Sequence, residues 1–260
     1  MELILGAVAY DPKVATIWDG FRTYCGARGL ALDYILYTSY ERQVAAHVRG
    51  DIHVAWNSPL AWLQAVAAGR GARTIAMRDS DRDLTSVILV RADGPKTVEE
   101  LRGKRVGVGA ADSPQATLIP LEELAARDIM VEPVRHDVLL GKHGDHIGGE
   151  RDAVVALLAG SVDAACVIDG NRLAFAREGL FAPNALRVVH QTGAYDHCNM
   201  TVLDGAPPEA DRFAELLLAM SYADPEVRPL LDLEGLKEWL PGRTSGYGIL
   251  DRAVKRFGMP

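Results

Sequence analysis

The sequence predicts an α/β protein of two lobes, each a mostly parallel sheet flanked by helices. Short apolar runs bounded by turn residues alternate with amphipathic stretches, the pattern of βαβ units. The segments 41–55 and 150–165 share one order: a helix, a closing glycine, a polar turn and a buried strand. That order indicates either two similar lobes or the helix–strand alternation that is common to all α/β proteins. The length of 260 residues suffices for two lobes of about 100–150 residues each.

The individual elements follow from these runs in chain order. In the first helix, Val14, Ile17, Trp18 and Phe21 fall on one face. The predicted strands are Leu3–Ala9, Leu32–Leu36, Ile52–Trp56, Arg73–Met77, Thr85–Val90, Arg105–Gly109, Ala164–Ile168 and Leu186–His190. The predicted helices are Pro12–Arg28, Tyr40–Val48, Pro59–Ala68, Thr97–Leu101, Pro114–Ala126, Arg151–Leu158, Pro208–Ala223 and Leu250–Phe257.

Composition excludes some classes of function. The chain is 48% hydrophobic and 24% charged, which is ordinary for a globular protein. The net charge of −7 argues against nucleic acid as a partner, because phosphate binding needs a basic face. No run of 18 apolar residues occurs, so we expect no membrane span. The three cysteines are too few and too irregularly spaced to imply a disulfide framework.

The first residues bear on localisation. Met1–Val8 lead directly into a strand, without the basic and long apolar regions of a signal peptide. As the sequence stands, it predicts a cytoplasmic protein. The location becomes periplasmic or extracellular if a signal peptide was removed.

Several helix starts carry the residues that bind anions. Ser58-Pro59 and Ser113-Pro114 each place a capping residue and a first-turn proline directly after a strand, and Thr38 with Glu41 forms a capping box. Backbone N–H groups and the helix dipole favour negative charge at such starts. Every helix needs a start, however, so the caps alone do not define a site.

Several stretches together resemble the phosphonate-binding branch of ABC-transporter solute-binding proteins, which have the type II periplasmic-binding-protein fold. They are Ser39–Ile52, Asn57–Trp62, Lys96–Val108, Asp112–Pro114, Asp152–Asp169 and Ala223–Glu226. The resemblance implies lobe 1 at 1–86 plus 200–260, lobe 2 at 87–199, and crossover strands at Thr85–Val90 and Asn199–Leu203. A ligand would lie in the cleft between the lobes, and an ABC permease would be the partner of an exported protein.

The resemblance also implies the ligand contacts. The predicted ligand-binding residues are Tyr10, Tyr40, Asn57, Ser58, Ser113, Gln115, Thr117, Arg151 and Asp169. Arg151 stands where the family often has a histidine, and it is suited to an acidic ligand. Asp169 matches a family acid that meets an amino group, although a helix cap is an equal alternative. The segment after Ser113 has fewer hydroxyls than is usual for phosphonate binders.

Two polar segments fall outside the family pattern. Lys142–His146 and Asp196–Asn199 are rich in the ligands of a zinc-like ion, and a thiol beside an imidazole also suits a nucleophile. The candidate metal ligands are His143, Asp145, His146, His197 and Cys198, and the candidate catalytic residues are His197 and Cys198. Turn residues around a buried cysteine, or ligand contacts without metal, remain alternatives.

Two functions are therefore open. The first is binding of a small anionic or zwitterionic solute, such as a phosphonate, a sulfonate or an amino acid, without a cofactor. The second is a cytosolic enzyme on the same scaffold that uses the His/Cys/Asp residues, with or without a metal. The resemblance favours the binder, and the His/Cys segments favour the enzyme.

Overall fold

A computed structural model describes residues 1–136 and 147–258. The strands are β1 Leu3–Val8, β2 Leu32–Tyr37, β3 Val54–Asn57, β4 Arg73–Arg78, β5 Ser86–Arg91, β6 Arg105–Val108, β7 Glu132–Arg135, β8 Ala164–Ile168, β9 Leu186–Gln191, β10 Asn199–Val202 and β11 Trp239–Pro241. The helices are α1 Lys13–Gly26, α2 Tyr40–Arg49, α3 Pro59–Ala67, α4 Ile119–Ala125, α5 Ile147–Leu158, α6 Asp169–Arg177, α7 Glu209–Leu218, α8 Arg228–Glu234 and α9 Gly248–Phe257. The predicted α/β class is confirmed. Within the described ranges, no helix combines the length and apolarity of a membrane span.

The chain forms two compact units, and the first comprises Met1–Arg82 and Asp196–Tyr247. Its six-stranded sheet has the order β11-β4-β10-β3-β1-β2. The strands β2, β1 and β3 are parallel, whereas β10 runs antiparallel to both β3 and β4. All four residues of β3 are buried, as the continuous apolar run in the sequence predicts for a central strand.

Aromatic side chains dominate the core of this first unit. Trp239 on β11 packs edge-to-face on Phe21 of α1 and on Trp56 of β3, with 5.8 Å between ring centroids in each case. Such contacts stabilise a core beyond the area they bury. Phe213, Leu216 and Leu217 of α7 are buried in the same cluster.

The second unit comprises Asp83–Tyr195 and Gly248–Pro260. Its five-stranded sheet has the order β7-β6-β8-β5-β9, with β7, β6 and β8 parallel and β5 antiparallel to both of its neighbours. Gly107 on β6 allows close packing, because a β-carbon there would lie 3.3 Å from the side chains of Ala153 and Val162. Helix α5 can therefore approach the sheet closely.

The crossings between the units differ from the expected ones. The chain passes between units after Arg82, after Tyr195 and once more after Tyr247. Strands β5 and β10, the expected crossover strands, therefore each lie within one unit. Helix α9 was expected in the first lobe but belongs to the second unit, because Arg256 pairs with Glu122 of α4 at 2.6 Å and the apolar face of α9 is buried there.

The elements β7, α8 and β11 were not predicted, and at α6 the sequence indicated only a helix cap at Asp169. Strand β7 is the edge of its sheet and α8 is a single short helix, so neither shows a strong hydrophobic period. The expected helix Pro114–Ala126 begins as a π-helical turn at Pro114–Leu118 and continues as α4. The caps at Ser58 and Ser113 form as predicted, whereas Ser39 rather than Thr38 caps α2.

Candidate functional site

The helix start after β6 is built from the side chains that the sequence singled out. Ser113 is fully buried, and its hydroxyl accepts a hydrogen bond from the N–H of Ala116 at 3.1 Å. The hydroxyl of Thr117 donates to the carbonyl of Ala110 at 2.8 Å. The proton of Thr117 is thus committed to the loop, while the proton of Ser113 remains available for an acceptor.

Proline explains why this first turn is π-helical. Pro120 has no N–H, and its ring excludes the carbonyl four residues earlier, which belongs to Ala116. That carbonyl instead accepts from the N–H of Gly109 at 3.2 Å. The N–H of Leu118 reaches back five residues to the carbonyl of Ser113 at 3.0 Å. Such single π-turns are frequent at functional sites.

Gln115 is the residue of this turn with unused hydrogen-bonding capacity. Its side chain is 7% exposed, and its Oε1 atom has no hydrogen-bond partner among the described residues. Of the N–H groups at the helix start, Ser113 donates to Ala110 and Ala116 donates to Ser113. Pro114 has no N–H, and the N–H of Gln115 has no backbone acceptor among the residues that the structure describes. A buried polar group left unpaired costs stability, so this position calls for a partner.

The two charged residues predicted in this unit already have partners. Nη2 of Arg151 lies 2.6 Å from Oε2 of Glu178, and its guanidinium stacks on Phe175 with 4.5 Å to the ring centroid. Asp169 pairs with Arg172 of its own helix at 2.6 Å. A ligand would therefore have to compete with Glu178 for Arg151. Participation of these two residues in binding remains a prediction.

Two of the residues predicted in the first unit serve the fold. Asn57, at the end of β3, is buried; it accepts from Gln43 at 2.8 Å and donates to Thr201 of β10 at 2.8 Å. Ser58 accepts from the N–H of Ala61 as the cap of α3. The amide of Asn57 makes two buried contacts within the protein, so a role in ligand binding stays a prediction.

A polar cluster forms around Cys198, in the residues directly before β10. Nδ1 of His197 lies 3.1 Å from Sγ of Cys198 and 3.5 Å from Oδ1 of Asp81. Tyr40 interacts electrostatically with Cys198 and with Tyr10, whose side chain is 43% exposed. The structure thus brings together Tyr10, Tyr40, His197 and Cys198 within the first unit. His143, Asp145 and His146, the other predicted metal ligands, lie outside the described residues.

The electrostatics of this cluster are strongly coupled. Burial lowers the pKa of His197, but Cys198 and Asp81 outweigh it and raise that pKa to about 10. Burial raises the pKa of Asp81, but the neighbouring Arg78 and His197 lower it by more than burial raises it. The resulting pKa of Asp81 is about 2. Burial, followed by Cys198, raises the pKa of Tyr40 well above its ordinary value. Asp81 is therefore an anion at neutral pH and Tyr40 is a neutral phenol.

Asp81 and Arg78 are the members of this cluster that the sequence did not reveal. Nε of Arg78 lies 2.5 Å from Oδ2 of Asp81, and Nη1 lies 3.2 Å from Oε1 of Glu234. Asp81 stands in the charged run 78–83, which is typical of a solvated turn. The run gives no sign that one of its carboxylates is buried against a thiol about 115 positions later.

Comparison with known proteins agrees with this architecture. The family described as the periplasmic phosphonate substrate-binding protein of ABC transporters matches residues 8–247. PhnD1 from Prochlorococcus marinus, solved in complex with methylphosphonate, is 16% identical over 99% of this chain and 98% of its own, with a TM-score of 0.69. XAC2383 from Xanthomonas citri, solved bound to ATP, is 17% identical over 98% and 97%, with a TM-score of 0.75. No curated protein matches the chain.

These likenesses define the class of protein. Two α/β units linked by repeated crossings, with similarity to solved binding proteins over nearly the whole chain, are the fold of periplasmic substrate-binding proteins. The family match is more specific. The chain belongs to the phosphonate-type periplasmic substrate-binding proteins of ABC transporters.

Proposed function

We propose that this protein binds a small zwitterionic acid, such as an aminoalkyl phosphonate, an aminoalkyl sulfonate or an amino acid, as the substrate-binding component of an ABC transporter. Family membership supports a solute-binding role. PhnD1 was solved with methylphosphonate, and SsuA from Escherichia coli is described as binding aliphatic sulphonates. Both relatives thus bind small acids with an oxyanion head.

The observation that carries the proposal is the unused polar capacity at Gln115. The hydroxyl proton of Ser113 and the N–H of Gln115 are donors at a helix start, where the dipole favours an anion. The buried Oε1 of Gln115 is an acceptor and needs a donor, which the ammonium group of a zwitterion supplies. A simple oxyanion would satisfy the donors but not this acceptor.

A matched set of solutes tests the proposal. We expect 2-aminoethylphosphonate and 2-aminoethylsulfonate to raise the melting temperature more than methylphosphonate and methanesulfonate, since a ligand present at 100 times its Kd adds about 2.7 kcal/mol of stability. Titration calorimetry would then give the affinities. Absence of binding by all four solutes and by free amino acids would refute the proposal. Tighter binding of the amine-free acids would refute its zwitterionic part.

A substitution places the site on the chain. Gln115→Ala should weaken binding about tenfold, the effect of losing one hydrogen bond of average strength. Gln191→Ala is the matched control, because Gln191 lies in the same unit but is exposed on β9. Equal affinities for both variants would exclude Gln115 from the site.

The partner and the compartment follow from the same proposal. A periplasmic substrate-binding protein delivers its solute to an ABC permease, so we infer delivery of the bound solute to such a permease. Cell fractionation is expected to find the protein outside the cytoplasmic membrane. A cytoplasmic pool that still binds the solute would instead favour the cytosolic role that the first residues of the sequence suggested.

A further inference from the structure

Three metal-ligating atoms converge in the cluster around Cys198. One carboxylate oxygen of Asp81, one ring nitrogen of His197 and Sγ of Cys198 all lie within 4.8 Å of one another. The same nitrogen of His197 faces both the sulfur, at 3.1 Å, and the carboxylate oxygen, at 3.5 Å. In the free protein a proton on this nitrogen links the sulfur and the carboxylate, and a divalent cation that takes its place would be bound by all three side chains.

The spacing fits a zinc-like ion. Bonds of about 2.0–2.3 Å at tetrahedral angles separate two ligand atoms by about 3.3–3.8 Å. The N···O distance of 3.5 Å lies in this range and the N···S distance of 3.1 Å lies just below it, so the imidazole would shift slightly away from the sulfur when the ion binds. Nitrogen, sulfur and oxygen from three side chains form a ligand set typical of zinc sites that keep one position for water.

The backbone holds the three ligands in place. The N–H of His197 donates to the carbonyl of Asp81 at 2.8 Å, and the N–H of Cys198 donates to the Asp81 carboxylate at 3.2 Å. The hydroxyl of Tyr247 donates to the carbonyl of His197 at 2.8 Å. The ligands therefore need little reorganisation to bind an ion, the condition for a tight site.

A further layer of charge surrounds the ligands. Arg78 binds both oxygens of the Asp81 carboxylate, Oδ2 through Nε at 2.5 Å and Oδ1 through Nη2 at 3.0 Å, and is itself paired with Glu234. This fork fixes the plane of the carboxylate, whose Oδ1 atom lies 3.5 Å from Nδ1 of His197. Outer-shell hydrogen bonds of this kind tune metal affinity. Asp81 and Cys198 are 2% and 8% exposed, whereas the side chain of His197 is 22% exposed and gives the ion a path from solvent.

We propose that Asp81, His197 and Cys198 bind one thiophilic divalent cation, best matched by zinc. The site lies within the first unit and is independent of the solute contacts at Gln115. It keeps His197 and Cys198 of the predicted ligand set and adds Asp81, while His143, Asp145 and His146 lie outside the described residues and stay a prediction.

Zinc titration without any solute tests the site. Tag-free, reduced protein treated with a chelator is titrated with zinc against a chromophoric competitor. We expect one zinc per chain, and affinities at least about 100-fold weaker for Cys198→Ala and for His197→Ala, since even outer-shell changes cost 10–100-fold. Cys25→Ala is the matched control, because Cys25 is a buried thiol of the same unit with apolar surroundings.

Cobalt gives a second readout that does not depend on affinity. Bound Co²⁺ should show a thiolate-to-metal charge-transfer band in the wild type and in Cys25→Ala, but not in Cys198→Ala. Cys198→Ser serves if the alanine variant does not fold. No zinc bound by the wild type, retention of zinc by both Cys198 variants, or loss only in a His143→Ala/His146→Ala double variant would overturn the proposal. None of these outcomes bears on solute binding.

Discussion

A buried histidine makes the stability of the first unit dependent on pH. His47, in the last turn of α2, is buried, and its Nε2 atom pairs with the carbonyl of His53 at 3.3 Å. Its Nδ1 atom has no hydrogen-bond partner among the described residues. A second proton on this ring would be buried without an acceptor. Burial accordingly lowers the pKa of His47 to about 4, although the bond to His53 raises it in part.

The pKa difference sets both the size and the direction of the effect. Above pH 6.5 the ring is neutral in the folded and unfolded chains, so the full stability is present. As the pH falls from about 6.5 to about 4, the unfolded chain takes up the proton and the folded chain does not. The free energy of unfolding should therefore drop by about 3 kcal/mol across this window, at 1.36 kcal/mol for each unit of pKa difference.

Urea unfolding of the wild type and of His47→Gln at pH 8 and pH 4.5 measures the effect. The four tryptophans, Trp18, Trp56, Trp62 and Trp239, all lie in the first unit, so their fluorescence reports its unfolding selectively. Other titrating groups cancel in the difference between wild type and variant. The stability advantage of the wild type should shrink by about 2–3 kcal/mol at the lower pH.

A control tests whether His47 itself is responsible. His136→Gln removes an imidazole from the second unit. Its difference from the wild type, measured on the first unit, should not change with pH. Parallel pH profiles for the wild type and His47→Gln would refute the argument, because they would mean that His47 protonates equally well in both states.

Two further substitutions probe buried polar contacts. Asn57→Ala should destabilise the first unit by about 2–3 kcal/mol because it leaves two buried partners unsatisfied, and Asn57→Asp should cost at least as much because it buries a carboxylate and loses the donor to Thr201. If Asn57→Ala kept the stability of the wild type but lost affinity for the solute, Asn57 would be a ligand-binding residue instead. Arg243→Ala should lower the free energy of unfolding by about 3 kcal/mol, because it removes the guanidinium that binds the carboxylate of Asp196. Asp196 is 2% exposed, and Nε and Nη2 of Arg243 lie 2.7 Å and 2.5 Å from its two oxygens. Arg212→Ala is the control, because Arg212 and Glu215 form an exposed ion pair, and it should change the urea midpoint little. Equal losses of stability in the two arginine variants would contradict the argument from burial.

Local chemistry explains why the strands and helix starts were predictable. Ser58-Pro59 and Ser113-Pro114 combine a capping hydroxyl with a residue that needs no N–H partner, and both caps form. These signals depend on neighbours within four positions and are visible in the sequence. The π-helical turn depends on Pro120 in the same local way, although the sequence predicted one continuous helix through that proline.

Long-range pairing explains what was missed at the candidate sites. Cys198 and His197 stood out as a ligand pair, but their third partner, Asp81, is brought in by the bond between His197 and the Asp81 carbonyl. The charge of Arg151 was evident, whereas Glu178, which neutralises it, lies directly after α6. Partners that are distant in sequence and drawn from ordinary charged runs leave no periodic signal.

The sequence by itself determined the α/β class, the order of most elements and the family resemblance, because hydrophobic period and turn residues act locally. Only the tertiary structure decided where each element belongs. The apolar face of α9 could be predicted from the sequence, but such a face can pack on any complementary surface. In the structure α9 belongs to the second unit, where Arg256 pairs with Glu122 of α4. The burial of Asp81, and with it the cluster around Cys198, likewise depends on segments that are distant in sequence and meet only in the folded first unit.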